Sequence, residues 1–291
     1  MNKGCIKIAL ALLSVAGYMQ NVAFAIEHVA ATDSSNEENS QHINLRSRQQ
    51  ESPVPEEAIQ AADVMAEALN IAKEHAEQTD DYKFYYAENG AILYFKQLNN
   101  TEIGKLIFKI PNADSYDDIV KMLWDQNVEK IFDDIFIGGI TSQIYNENLV
   151  LLQHRYRFDL WSIYYNALAN KVELSEDETA ILVVSSDMND HNSAKSTKGL
   201  NYVNPIVKSA NSFKPDVNSA IEVRMGFSHE MYINLVAVFI KKEADGVKIT
   251  QLTSIEHAYI PDSPSPRETL RNMTASAMLN TTKIEDIIKK E

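Results

Sequence analysis

The amino-acid sequence predicts an α+β fold in which a curved antiparallel sheet wraps around a long C-terminal helix. Three patterns carry this expectation. An apolar helical period follows Pro55, alternating β-branched and aromatic segments run from Tyr82 to His257 between turn residues, and a second helical period starts near Pro266. Successive strands joined by short turns pair antiparallel, and the flanking helices must bury their apolar faces on the resulting sheet. About 235 residues from Pro55 onward fit one domain. A sheet curved over a helix leaves a cavity between them, and such cavities suit apolar ligands.

Each element has its own signal. Pro55-Glu56-Glu57 reads as a helix first turn, with acids at the positive end of the dipole, and the period through Ile59, Ala62, Met65, Leu69 and Ala72 continues to about Gln78. Tyr82–Ala87 and Ala91–Leu98 flank Asn89-Gly90, the strongest short hairpin signal. In residues 103–110, Leu106, Phe108 and Ile110 share one face, and Lys105 and Lys109 the other. Ser115 is placed to cap a helix over 116–126, and a second short helix is expected over Val128–Phe136. Strands follow at 140–145, 149–158, 162–174 and 180–187, then a polar loop at 189–198 and a segment of undecided form at 201–217. Two longer strands, 219–227 and 231–242, turn at Ala244-Asp-Gly246 into a strand over 247–257. Pro261, Pro264 and Pro266 end the sheet, and the terminal helix carries an apolar side through Leu270, Met273 and Met278, with a break expected near Asn280-Thr281-Thr282.

Residues 1–25 read as a signal peptide: Lys3 and Lys7, an apolar run from Ile8 to Ala16, and the small-x-small site Ala23-Phe24-Ala25. The run is too short for a spanning helix, which needs about 20 apolar residues. Residues 26–54, rich in Ser, Asn, Gln and Glu, read as a disordered leader. The lone Cys5 leaves with the signal peptide, which excludes disulfides, thiolate-bound zinc and cysteine nucleophiles from the mature chain. The full chain has a formal net charge of −14. Cleavage leaves 25 Lys and Arg against 41 Asp and Glu, a charge of −16 that disfavours nucleic acid and non-specific adhesion to anionic surfaces.

A search for catalytic or metal spacing finds little. His229-Glu230 would open a zincin helix, but Ile233 stands where the second histidine belongs. Asp187-Met-Asn189-Asp190-His191 resembles the start of a calcium loop, but Asn192 and Lys198 occupy the glycine and bidentate-acid positions, so it reads as a solvated turn. No phosphate loop, nucleophile elbow or CxxC is present. Aromatic density is the notable feature: Tyr145, Tyr156, Phe158, Trp161, Tyr164 and Tyr165. Alternation over 149–158 puts Val150, Leu152, His154 and Tyr156 inward and Arg155 and Arg157 outward. Trp161, Ile163, Tyr165, Ala167 and Ala169 then share a face, a bulky-to-small series that could line a cavity or simply pack a β core.

The leader, together with Met122-Leu123-Trp124-Asp125, Phe132-Asp133-Asp134 and Asn148-Leu-Val-Leu-Leu-Gln-His-Arg-Tyr156, resembles the Plasmodium fam-a family. The resemblance is strongest over the leader and the central third. It implies a START-type, helix-grip domain over 55–291 with one phospholipid in a closed tunnel, no cofactor, and phosphatidylcholine as the expected ligand. It also implies a protein secreted by the parasite toward the parasitophorous vacuole or host erythrocyte, and Arg46-x-Arg48-x-Gln50 only approximates the export signal of its relatives. Carried over by position, Phe132 and Asp133 would sit at the headgroup and Lys130 at the phosphate. An aromatic cage for choline would use positions 152 and 165. Tyr165 fits, whereas Leu152 breaks the cage, leaving Tyr145, Tyr156 or Trp161 to substitute and His154 beside them.

The expected protein is therefore a monomeric, non-enzymatic phospholipid carrier that touches membranes transiently and binds no nucleic acid, with Leu270, Met273 and Met278 on a lid helix. Two other classes remain in view. One is an exported host-interaction or antigenic protein that keeps the fold without transfer. The other is a helix-grip cyclase or hydrolase, which would need a buried pair such as His154 with Asp133.

Overall fold

The computed structural model describes residues 55–125, 136–158, 161–195, 201–257 and 264–288, without the side chains of Phe158 and Trp161. The signal peptide, the leader, and residues 128–135 of the helix expected over 128–136, with Lys130, Phe132 and Asp133, lie outside the described residues, and Phe136 opens a strand instead.

Pro55, Glu56 and Glu57 open α1 (Pro55–Glu77), whose buried stripe is Ala61, Val64, Met65, Ala68 and Ala72. The hairpin of β1 (Lys83–Glu88) and β2 (Ala91–Leu98) turns at Asn89-Gly90, both at positive φ, as a two-residue type I′ turn requires. Next come β3 (Thr101–Ile110), α2 (Tyr116–Trp124), β4 (Phe136–Asn146), β5 (Leu149–Phe158), β6 (Trp161–Ser175) and β7 (Glu178–Val184). A long connection carrying α3 (Ile221–Arg224) leads to β8 (Ser228–Glu230), β9 (Tyr232–Glu243) and β10 (Gly246–Glu256). The described chain ends with α4 (Pro266–Asn280), a 3-10 turn at Thr281–Lys283 and α5 (Ile284–Ile288).

The strands form one sheet in the order β1-β2-β3-β10-β9-β7-β6-β5-β4, antiparallel throughout, with short β8 added in parallel to β6. Because β10 pairs with β3, the chain leaves the sheet beside its earliest strands, and α4 lands across them. Alternation sorts the side chains into two cores. On one face Leu93, Leu106, Phe108, Leu152, Tyr156 and Tyr165 pack with Ile119 and Leu123 of α2 and Met273 and Met278 of α4. On the other, Leu151, Leu168, Leu182 and Leu235 pack with α1 and with Val207, Phe213 and Val217.

The α+β, helix-grip arrangement expected from the sequence is thus present, with corrections. The C-terminal helix is the shorter one, 15 residues breaking at Thr281, and α1 is the long one at 23 residues. Ser115 makes no side-chain cap, its hydroxyl donating instead to the Asn112 carbonyl. The strand expected over 219–227 is the α3 turn, because Ala220 and Val223, three apart, bury against Tyr164. The face carrying Arg155 is not open to solvent: Gln153 is fully buried there, bonded to Asn166 and Ser219.

Lys105, on the face opposite Leu106 and Phe108 as alternation places it, is also buried. Its ammonium donates to the carbonyls of His75, Ala76 and Gln78 at 3.0, 2.6 and 2.7 Å, closing the C-terminal end of α1 where carbonyls lack intrahelical partners. Burial holds its pKa below the usual lysine range. Lys105→Met should lower stability by about 1–3 kcal/mol in urea unfolding, since three half-buried carbonyls at the end of α1 lose their charged donor at once.

Candidate functional site

The inward face of β4, β5 and β6 gathers one aromatic group. Phe136, His154, Tyr156 and Tyr165 are neighbours because β4 pairs Phe136 with Tyr156 and β5 pairs His154 with Tyr165. The His154 Nδ1 lies 3.1 Å from the Tyr165 hydroxyl and 3.3 Å from that of Tyr156, so both can donate to it when the ring carries its proton on Nε2. Phe136 meets His154 and Tyr156 at 5.4 Å between ring centres, and Tyr156 and Tyr165 are near-parallel, 6.3 Å apart. Leu152, Ile163, Ala167 and Ala169 continue the same buried face. Tyr145 does not join them: it packs on the α1 face and donates to Glu57 at 2.6 Å. Trp161 opens β6, but its side chain is outside the description, as are Lys130, Phe132 and Asp133.

Helix α4 covers another part of the same face, over β3 and β10. Met273 and Met278 are buried and Leu270 packs at the margin. Gly104 on β3 seats Met278, since a Cβ there would stand 2.5 Å from the methionine sulfur. Polar contacts fasten the helix from outside. Arg271 forms a two-pronged pair with Glu102, its Nε at 2.9 Å, and lies over the Phe95 ring. Tyr85 donates to Asn272 at 2.5 Å, and His257 Nε2 lies 3.0 Å from the Thr274 hydroxyl. Burial pushes the His257 pKa down to about 4, so the ring is neutral. Between these contacts, beneath the first turns of α4, opens a cavity of about 740 Å³. Phe95, Ile255 and Leu270 supply apolar wall, Arg267, Arg271 and Lys208 bring positive charge to it, and Glu102 and Glu256 bring negative charge. Sequence reading missed this cavity because its lining comes from β2, β3, β10, the 203–208 segment and α4.

A second constellation lies on the α1 face. Tyr164 donates to Asp190 at 2.6 Å, Asn166 reaches the same carboxylate, and Asn192 donates to the Tyr164 oxygen at 2.9 Å. Lys195 stands 3.0 Å from Glu230 and 3.3 Å from Asp187. The Asp187–His191 stretch is therefore not the solvated turn expected: Asp190 is buried and holds the loop to β6.

No protein-family model matches the chain, and no curated protein matches it. Among solved structures it is similar to human STARD10 at 11% identity and TM-score 0.46, covering 76% of this chain and 81% of that one. It is similar to human StAR-related lipid transfer protein 5 at 10% identity and TM-score 0.48, covering 77% and 98%. It is similar to the human StarD13 lipid transfer and protein localization domain at 9% identity and TM-score 0.44, covering 73% and 94%. At such scores these likenesses carry no conclusion by themselves, and the architecture stands on the chain's own strand order and helix placement.

The ion cluster sets a pH dependence. Burial first, then the Asp190 charge, pushes the Glu230 pKa from 4.5 up to about 7. Between those values the folded chain holds a proton that the unfolded chain releases, so stability falls as pH rises through this window, by up to about 3 kcal/mol from this group. Urea midpoints should therefore drop less between pH 5 and pH 8 in Glu230→Gln than in the unaltered protein. Equal drops would exclude the assignment.

Proposed function

We propose that this chain is a phospholipid carrier, with phosphatidylcholine as its ligand and α4 as its gate. The observation that carries the reading is the cavity beneath α4, apolar at Phe95, Ile255 and Leu270 and charged at Arg267, Lys208, Glu256 and the Arg271–Glu102 pair, between a sheet and a helix held down by polar contacts. That division suits an amphiphile whose chains need cover and whose phosphate needs a cation. Two acyl chains of about 30 methylenes would lose roughly 24 kcal/mol if exposed in transit, so a carrier must enclose them. Tyr156 and Tyr165 do not line this cavity and are fully buried beside His154, so a quaternary ammonium would meet their rings, for about 2 kcal/mol when desolvated, only once the packed cluster opens. The fam-a resemblance supports the same reading and adds secretion by a parasite toward the vacuole or host erythrocyte, with the protein acting as a monomer.

One observation favours a second reading, a secreted interaction protein that keeps the fold without transport. Leu152, Tyr156 and Tyr165 are fully buried in a single packed cluster with Met273 and Met278. Mass spectrometry of lipid that co-purifies with the protein separates the two, and absence of bound lipid together with no extraction from labelled vesicles would sink the carrier reading. An enzyme using His154 is distinguished by His154→Gln, which should leave transfer between vesicles intact.

The gate makes its own prediction. Glu102→Ala removes the partner of Arg271 and should raise the lipid exchange rate about fivefold, matching about 1 kcal/mol of lost closure energy. An unchanged rate between donor and acceptor vesicles would mean that α4 does not open.

A further inference from the structure

Among the described residues six large apolar side chains are more than half exposed, and three of them fall within seven consecutive positions: Ile221 at 65%, Met225 at 55% and Phe227 at 65%. They are held out rather than loose. Ala220 and Val223 anchor the turn against Tyr164 and Ile140, and the Ala220 N–H donates to the buried Gln153 at 2.9 Å. The Met225 N–H donates to the Ile221 carbonyl and the Phe227 N–H to that of Glu222, at 2.9 and 3.0 Å. Gly226 takes φ +76 where a Cβ would come within 3.0 Å of Ala194, which presses the turn onto its neighbour. A turn with a buried apolar side and a fixed, exposed apolar side serves packing inward and a partner outward.

Charge selects the partner. Glu222, the acid in the turn, is paired with Arg155 at 3.0 Å. Arg224 and Arg157 are exposed, and Arg157 lies in the cross-strand row with Ser162 and Ser228, next to Phe227. Among the described residues Arg155, Arg157 and Arg224 stand here against Glu222, with Glu230 of β8 largely buried and paired with Lys195, which makes this a positive island on a chain of net charge −14. The rest of an acidic surface is repelled by anionic lipid, so this island is the part such a surface orients toward itself.

We propose that Ile221, Met225 and Phe227, rimmed by Arg157 and Arg224, form the surface by which this chain docks on an anionic bilayer. The apolar side chains enter the headgroup boundary and the arginines meet phosphate. The segment is fastened through β8 to β6 at Ser162–Tyr164, beside Tyr165 of the aromatic group, so docking brings that end of the sheet to the membrane. Its use in delivering lipid rests on the carrier reading, whereas the docking itself does not.

The full chain can be sedimented with phosphatidylcholine vesicles with and without phosphatidylserine. Stronger binding to the serine-containing vesicles, weakened by salt, is expected. The triple variant Ile221→Ser, Met225→Ser, Phe227→Ser should partition at least about tenfold less, with unchanged circular dichroism and urea midpoint. Arg157→Glu should lose about fivefold or more on phosphatidylserine vesicles and little on phosphatidylcholine alone. Failure of the unaltered chain to bind either vesicle, or equal binding by the triple variant, overturns the proposal. So does a triple variant that changes only from dimer to monomer in gel filtration, which makes the surface a self-contact. If vesicles are bound but no lipid is carried, the carrier reading fails and the docking surface stands.

Discussion

Each strand at the centre of the sheet carries two apolar rows, Leu182 and Leu235 on one side and Val183 and Val236 on the other, so neither face can be left to water. Everything else in the architecture answers that requirement. The face under α4 is covered by helices, α2, α4 and α5. The opposite face is wider than α1 alone can cover, and the remainder falls to the chain between β7 and β8, whose described residues hold only short helical turns. Cover without helices brings backbone polar groups into the core, and each must find a partner there.

Asn204 resolves much of that difficulty. Fully buried, it donates to the carbonyls of Ser185 and Asn234 at 3.1 and 2.9 Å and accepts from the N–H groups of Ile206 and Val207 at 2.9 Å. Asn211 and Asn204 exchange two further side-chain to backbone bonds, and Glu67 of α1 accepts from the N–H groups of Lys208 and Ser209. Burial opposes the Glu67 charge, but those bonds outweigh it and lower its pKa. Side chains thus perform for this segment what ladder hydrogen bonds perform for strands. The same logic explains Lys105, whose buried side chain reaches from β3 to the last carbonyls of α1.

These are also the places where the sequence was hard to read. Period and turn chemistry identify α1, the Asn89-Gly90 hairpin, the meander from β4 to β7 and the break after α4, because each depends on residues close in the chain. Alternation correctly put His154, Tyr156 and Tyr165 on one face. It could not show that the other face is covered as well, since the cover is a polar segment with no period. Nor could it show that Lys105 lies under α1, about thirty residues back, or that Asp190 faces Tyr164. The 219–227 segment misled for a different reason: Ile221, Val223, Met225 and Phe227 alternate as a strand does, yet only Val223 is buried, so the apparent strand face is in fact a surface feature.

On the carrier reading, the two ways in which α4 is held have unequal consequences at a membrane. Inside, Met273 and Met278 bury flexible thioether chains, Met278 over Gly104, and lifting them into water would cost about 3–6 kcal/mol. Outside, the Arg271–Glu102 pair is half-exposed and contributes about 1 kcal/mol. Most of the closure energy is therefore hydrophobic, and a bilayer returns it, because methionines leaving the sheet can enter hydrocarbon instead of water. The polar latch is what remains to be broken at the surface. Opening is then rare in solution, by two to four powers of ten for that hydrophobic difference, and nearly balanced on lipid. A gate built this way needs no ligand signal to open: contact with the membrane itself supplies the missing free energy.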